Sequence, residues 1–361
     1  SQAMSKLKEL GAAGQIVWID FNRRDMVSNG ELDALVEEGV TGVTSNPSIF
    51  EAAIAGSDLY DETIASADGD PLAVFESLAI ADVQGAADAL RVLYDATEGL
   101  DAYVSLEVSP TLANDTEGTI ADARRLWDRV NRPNLMIKVP ATPAGIIAIE
   151  ELIAAGINVN ATLMFSRVDY ENVAMAYVRG AERTDVPERI ASVASFFVSR
   201  VDNTIDAALN DIGTDEALEL RGIAAVANAK LAYRRYQEIF EGEPFAVARA
   251  RGARPQRALW ASTSTKNPEY SDVLYVDELI GPNTVNTIPP ATVDAFRDHG
   301  TIDASALTSD VDEAAAHFEK LAALGVDVDA ITAQLQIDGV ASFSKAFDGL
   351  LTAIEEQQGR S

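Results

Sequence analysis

Eight short apolar or β-branched runs recur along the chain, at residues 16–21, 40–45, 102–108, 135–139, 159–165, 193–198, 258–261 and 285–288. The stretches between them carry the 3.6-residue period of amphipathic helices, as at 31–38 and 119–130. Near-continuous apolar strands alternating with such helices make a parallel sheet covered by helices. Eight units of this kind predict an α/β fold, a single (β/α)8 barrel of the TIM type. No G-x-G-x-x-G follows the first run, which disfavours a dinucleotide-binding domain.

Two connections are longer than a barrel needs. Residues 46–102 have room for two or more helices, including 71–97, and residues 200–257 hold another at 221–240. The latter carries Tyr233, Tyr236 and Phe240, which are expected to pack on the barrel rather than form an interface. After the eighth run the chain reads as helices at 310–324, 327–335 and 339–357. No repeat, low-complexity tract or flexible linker marks a second domain. The expected organisation is therefore one domain over 1–361: an N-terminal segment (1–14), the barrel (15–290) and C-terminal helices packed on it (291–361). Ser1-Gln2-Ala3 before Met4 reads as an expression scar.

Charge and rare residues narrow the chemistry. With 28 Lys+Arg against 57 Asp+Glu the formal net charge is −29, which argues against a nucleic-acid partner. Any phosphorylated ligand must then be met by a local cluster of donors. Cysteine is absent, so there is no disulfide framework or thiol nucleophile, and two histidines make a histidine-built metal site improbable. His317 reads as a helix surface or flank residue and His299, before Gly300, as a helix-end residue. No run approaches the ~20 apolar residues that cross a bilayer, and nothing resembles a signal peptide. A cytoplasmic protein is expected, as monomer or homodimer, without metal or organic cofactor.

The polar exceptions to the apolar pattern lie at the ends of the runs, where a barrel of this kind carries its active site. Asn134-Leu135-Met136-Ile137-Lys138-Val139-Pro140 places a lone lysine in an apolar strand. A solvated lysine, with a pKa of about 10.4, is protonated at neutral pH; burial disfavours the ammonium and frees a neutral amine that can form a Schiff base. Taken alone, Lys138 could equally snorkel or pair with an acid. Six other run ends are polar as well: Asp20; Thr44-Ser45-Asn46-Pro47; Glu107; Asn158-Val159-Asn160-Ala161-Thr162; Ser195 through Arg200; and Ser262 through Lys266. Individually, Asp20 could cap a helix, Asn46 could set the turn before Pro47, and Thr162 could be an ordinary strand residue. Seven coinciding strand ends predict a converging site.

At these residues the chain resembles the transaldolases, lysine-dependent class I aldolase-type barrels. The resemblance is carried by Thr44-Ser45-Asn46-Pro47-Ser48-Ile49, by Met136 to Thr142 around Lys138, by Ile157 to Ser166 around Asn160, by Ser195 to Arg200, and by Ile337-Asp338-Gly339-Val340-Ala341-Ser342-Phe343. It runs over residues 15–350, and the length and the 260–268 stretch are similar to the longer bacterial branch. It implies transfer of a dihydroxyacetone unit from a ketose phosphate to an aldose phosphate. Lys138 then forms the Schiff base, Asp20 is the general base, and Glu107 handles protons through a water that Thr162 helps to hold. Thr44, Asn46, Asn160, Ser195 and Phe197 are the expected contacts to the three-carbon unit. Arg200 and Ser262 are the expected phosphate ligands. A second arginine is common two residues after that serine; this chain has Ser264, and Lys266 is the candidate replacement. Two rival readings stay open: a sugar-phosphate aldolase releasing dihydroxyacetone, and a non-catalytic sugar-phosphate-binding barrel.

Overall fold

A computed structural model describes residues 4–20 and 23–359. The Ser1-Gln2-Ala3 segment and Phe21, assigned above to the first strand, lie outside the described residues. The eight runs form eight strands: β1 (Gln15–Asp20), β2 (Val40–Thr44), β3 (Val104–Glu107), β4 (Leu135–Pro140), β5 (Val159–Met164), β6 (Ser192–Phe197), β7 (Arg257–Ala261) and β8 (Thr284–Ile288). They pair in sequence order, all parallel, and β8 closes on β1. The expected barrel is thus a closed one, each strand within two residues of its run.

Local chemistry starts the helices just beyond the mouth. Asn46 Oδ1 accepts from the Ile49 amide at 2.9 Å and caps Pro47–Gly56, and Thr142 Oγ1 caps Pro143–Ala154 through Gly145. Proline at the first helical turn costs no intrahelical bond and pre-sets φ. The long connection after β2 holds three helices, Pro47–Gly56, Asp61–Ala65 and Pro71–Ala96.

Inside the barrel, the lower layer is apolar. Trp18, Tyr103, Met136, Val193, Leu259 and Val285 form one buried cluster from six strand segments. Gly42 is the reason Trp18 fits: a Cβ there would stand 2.4 Å from the indole Cδ1. The Trp18 Nε1 donates to Asp101 Oδ1 at 3.2 Å, and Asp101 also faces Arg257 at 3.6 Å. The indole N–H and the carboxylate at this level are thereby both partnered.

The C-terminal region departs from the expectation of separate helices at 327–335 and 339–357. It is one helix, Val328–Gly359. Gly339, a helix breaker by composition, is used for close approach: a Cβ there would lie 2.9 Å from Leu163 Cδ2 at the end of β5. Gln336 Nε2, one turn away, donates to the carbonyls of Ala141 (2.8 Å) and Leu163 (3.0 Å). Phe347 stacks edge-on against Phe75, so this helix lies across the strand ends. The Ala224–Phe240 helix buries Tyr233, Tyr236 and Phe240, as packing on the barrel requires. His317 is buried at 4% exposure, not on a helix surface, and burial depresses its pKa to about 4. Its alanine neighbours gave no sign of this because small side chains suit either environment. His299 ends the Pro290–His299 helix between Asp298 and Asp272, and both carboxylates raise its pKa.

Candidate active site

Register brings the chemistry into one row. Glu107 on β3 pairs with Lys138 on β4, and Lys138 pairs with Asn160 on β5. Asp20 pairs with Thr44 one layer around the barrel. A cavity of about 230 Å³ opens at this end, lined by Asp20, Thr44, Asn46, Lys138, Asn160, Thr162, Ser195, Phe197, Arg200 and Ser262 among others. Ten of the twelve residues singled out from the sequence therefore converge. Glu107 borders a neighbouring cavity, yet its charge acts directly on Lys138. Lys266 is exposed and does not line the cavity, so the proposed replacement charge lies away from it, while Ser264 does line it.

Lys138 is 7% exposed, and its ammonium donates to Thr44 Oγ1 at 3.2 Å and to the Ser45 carbonyl at 3.0 Å. Burial lowers its pKa, opposed by the charges of Glu107 and then Asp20. Those carboxylates are shifted the other way. Burial raises Glu107 to about 7 and raises Asp20, in each case against the pull of Lys138. Desolvation is the largest influence at all three groups, and each shift is toward the neutral form.

Around the amine the polar groups are fixed. Ser195 Oγ donates to Asn160 Oδ1 at 2.7 Å, and Asn160 Nδ2 donates to Ser105 Oγ at 3.1 Å. Glu107 Oε2 and Thr162 Oγ1, in contrast, are buried without a hydrogen-bond partner among the described residues. Orphaned buried acceptors are costly and are typically retained where a ligand or ordered water meets them.

At the far side, Arg200 lies in the first turn of Ser199–Ile212, its guanidinium 5.8 Å from the centre of the Phe197 ring. Burial alone lowers its pKa, with no carboxylate compensating. Ser262 Oγ lies 2.9 Å from Ser199 Oγ, and the Ser199 amide donates to the Ser262 carbonyl. A helix N-terminus, a guanidinium and two hydroxyls make a ready anion cradle. The backbone here is unusual: Ser262 has φ 56° and Leu163 φ 57°, left-handed values that cost energy in residues with a Cβ.

The sequence reading missed Thr287, Pro289 and Phe343 as cavity walls. Thr287 was within reach, since it lies two residues beyond the inward-facing Val285 and shares its face. Phe343 belonged to a quoted motif, but nothing local tells that its helix crosses the mouth.

The chain as a whole is similar to known proteins. A family model described as transaldolase/fructose-6-phosphate aldolase matches residues 17–354. A protein named transaldolase from Thiobacillus denitrificans is 49% identical over 360 residues, covering 97% of this chain and 100% of that protein. Another of the same name from Frankia alni is 48% identical over 364 residues, covering 98% of each. A third, from Mycolicibacterium smegmatis, is 48% identical over 359 residues, covering 97% of each. The chain belongs to the transaldolase/fructose-6-phosphate aldolase family.

Proposed function

We propose that this enzyme is a transaldolase, a transferase that carries a dihydroxyacetone unit from a ketose phosphate to an aldose phosphate through a Schiff base on Lys138. The observation that carries the reading is the desolvated Lys138 amine held beside two carboxylates whose pKa values burial has raised. The neutral amine attacks the donor ketone, and the former carbonyl oxygen, once protonated, leaves as water to give an iminium. Glu107, with a pKa of about 7, suits both directions of that proton traffic, and its orphaned Oε2 together with Thr162 Oγ1 suits the water that relays it.

Asp20 then takes the proton of the hydroxyl beside the breaking bond. The carbon–carbon bond cleaves, and its electron pair flows into the iminium, leaving an enamine. Asn46, Asn160, Ser195 and Thr44 hold the hydroxyls of the three-carbon unit, because amides and hydroxyls both donate and accept. Phe197 supplies an apolar wall. Arg200 and Ser262 grip the phosphate. The enamine waits for an aldehyde, and the reverse steps release the product. The same reading places the enzyme in the cytoplasm, among the intermediates of sugar-phosphate metabolism.

Incubation with fructose 6-phosphate, borohydride reduction and peptide mass analysis tests this directly. The expected product is a three-carbon adduct on the peptide containing Lys138. A six-carbon adduct would mean imine formation without cleavage, and no adduct at all would overturn the catalytic assignment. Turnover without added aldehyde separates a transferase from an aldolase: the transferase stalls.

A further inference from the structure

Beside the mouth, but outside the catalytic cavity, lies a second cavity of about 350 Å³ between the Arg167–Arg183, Ala224–Phe240 and Val328–Gly359 helices. Three guanidiniums border it, Arg167, Arg234 and Arg235, in a chain with a net charge of −29. Arg235 is occupied, pairing with Glu171 at 2.7 Å and Glu238 at 2.9 Å, which also uses both of those carboxylates. Arg167 and Arg234 have no carboxylate within ion-pairing distance among the described residues. Asp329 faces Arg167 from the third helix without closing to a salt bridge, and the Arg167 guanidinium lies over the Phe318 ring at 4.9 Å.

Two like charges are thus held at one concavity by two different helices, with the local acids already engaged or out of reach. We propose that this cavity binds a small phosphate-bearing anion, gripped by Arg167 and Arg234. Guanidiniums match phosphate oxygens bidentately, and a dianion removes the repulsion between the pair. Ser166, at the start of the helix, also borders the cavity, its Oγ accepting from the Asp169 amide and its side chain hydrogen-bonding the Asp169 carboxylate. The space accommodates inorganic phosphate or a three-carbon phosphate monoester. Arg167 and Arg234 are both exposed at this cavity, and partial desolvation, then their mutual repulsion, lowers the pKa of Arg167.

Occupancy has a structural consequence. The first turn that carries Arg167 also carries Asp169, whose Oδ2 accepts from Gln336. Gln336 is the residue that ties the Val328–Gly359 helix to the strand ends, and Phe343 on that helix walls the catalytic cavity. An anion here reinforces that tie from outside.

The test is calorimetric titration of inorganic phosphate, then of glycerol 3-phosphate, into the Arg200→Gln protein, in which the catalytic phosphate cradle is disabled. One remaining site is expected, weakened at least ten-fold in Arg200→Gln/Arg167→Gln/Arg234→Gln and weakened less in Arg200→Gln/Arg167→Lys, which keeps the charge but not the bidentate fork. Tighter binding of phosphate identifies the free ion as the ligand, and tighter binding of glycerol 3-phosphate identifies a monoester. Hydrogen exchange at residues 328–340 should slow when either ligand is bound to Arg200→Gln. Loss of all binding in Arg200→Gln, or binding that survives removal of both Arg167 and Arg234, overturns the proposal while leaving the catalytic reading intact.

Discussion

The two ends of the barrel interior are built from the same eight strands, yet they solve opposite problems. At the floor, Trp18, Tyr103, Met136 and Leu259 fill the space, and the cluster contains no amine or carboxylate; Gln15 Nε2 nearby donates to the Leu279 carbonyl at 2.7 Å. At the mouth, two residues further along the same strands, an amine and two carboxylates are buried with raised or lowered pKa values, and two oxygens are left unpartnered. Burial at the floor stabilises the fold through area and packing. Burial at the mouth costs stability and shifts the pKa values of ionisable groups, as functional sites commonly do. The comparison teaches that position along a barrel strand, not degree of burial, decides whether a residue serves folding or chemistry.

The largest separation should come from Lys138→Met. Activity is expected to fall by roughly 10⁴-fold or more, with no borohydride-trapped adduct, because the covalent route is gone. Stability measured by urea unfolding at pH 6 should rise by about 1–3 kcal/mol, since an apolar chain of similar volume replaces a desolvated amine and the freed carboxylates can protonate. A loss of stability instead would mean that Lys138 is a structural residue.

Trp18→Ala is the mirror image. Removing a fully buried indole should cost about 3–5 kcal/mol. The surviving folded fraction should keep its KM and its trapped adduct, because the ring is one layer below the amine. A selective loss of kcat at full stability would break the division between floor and mouth.

Glu107→Gln sharpens the comparison by pH. In the fold Glu107 holds its proton up to about pH 7, against 4.5 when unperturbed. Folding therefore takes up a proton across that window, and stability falls as pH rises from about 4.5 to 7. The amide variant lacks this loss, so its advantage over the parent should grow through the window and reach about 3 kcal/mol at pH 8. Its rate should fall about 10²-fold, and the pH–rate profile should lose the limb near 7. If both limbs persist, another group titrates there.

How much of this could be read from the sequence depended on range. The eight strands were legible because burial on both faces writes a continuous apolar run, and the polar run ends such as Asp20 and Lys138 stood out against that background. Asn46 shows why single residues were ambiguous: its Oδ1 caps Pro47–Gly56 while the residue also lines the cavity. The helix-end reading is borne out, and the position at the cavity is compatible with the other. What stayed hidden was long-range. Nothing around Gln336 announces that its amide spans to carbonyls of Ala141 and Leu163, more than 170 residues away. The break expected between 335 and 339 failed for the same reason, since the glycine there answers to Leu163 rather than to its own helix.

Gly339 gives the smallest and most discriminating prediction. Alanine is favoured over glycine within a helix by roughly 1 kcal/mol. The added Cβ would press on Leu163 Cδ2 at 2.9 Å, a flexible side-chain end that can yield, and would stand 3.8 Å from Arg200 Nη1. The two contributions nearly cancel in stability, so urea midpoints of Gly339→Ala and the parent should agree within about 0.5 kcal/mol. They do not cancel at the mouth, where a helix pushed outward by a few tenths of an ångström shifts both Phe343 and the Arg200 guanidinium proposed to meet the phosphate. KM for fructose 6-phosphate should rise about three- to ten-fold with kcat nearly unchanged, the signature of lost uniform binding. An unchanged KM would show that the mouth tolerates movement of its covering helix, and that the tie through Gln336 serves the fold alone.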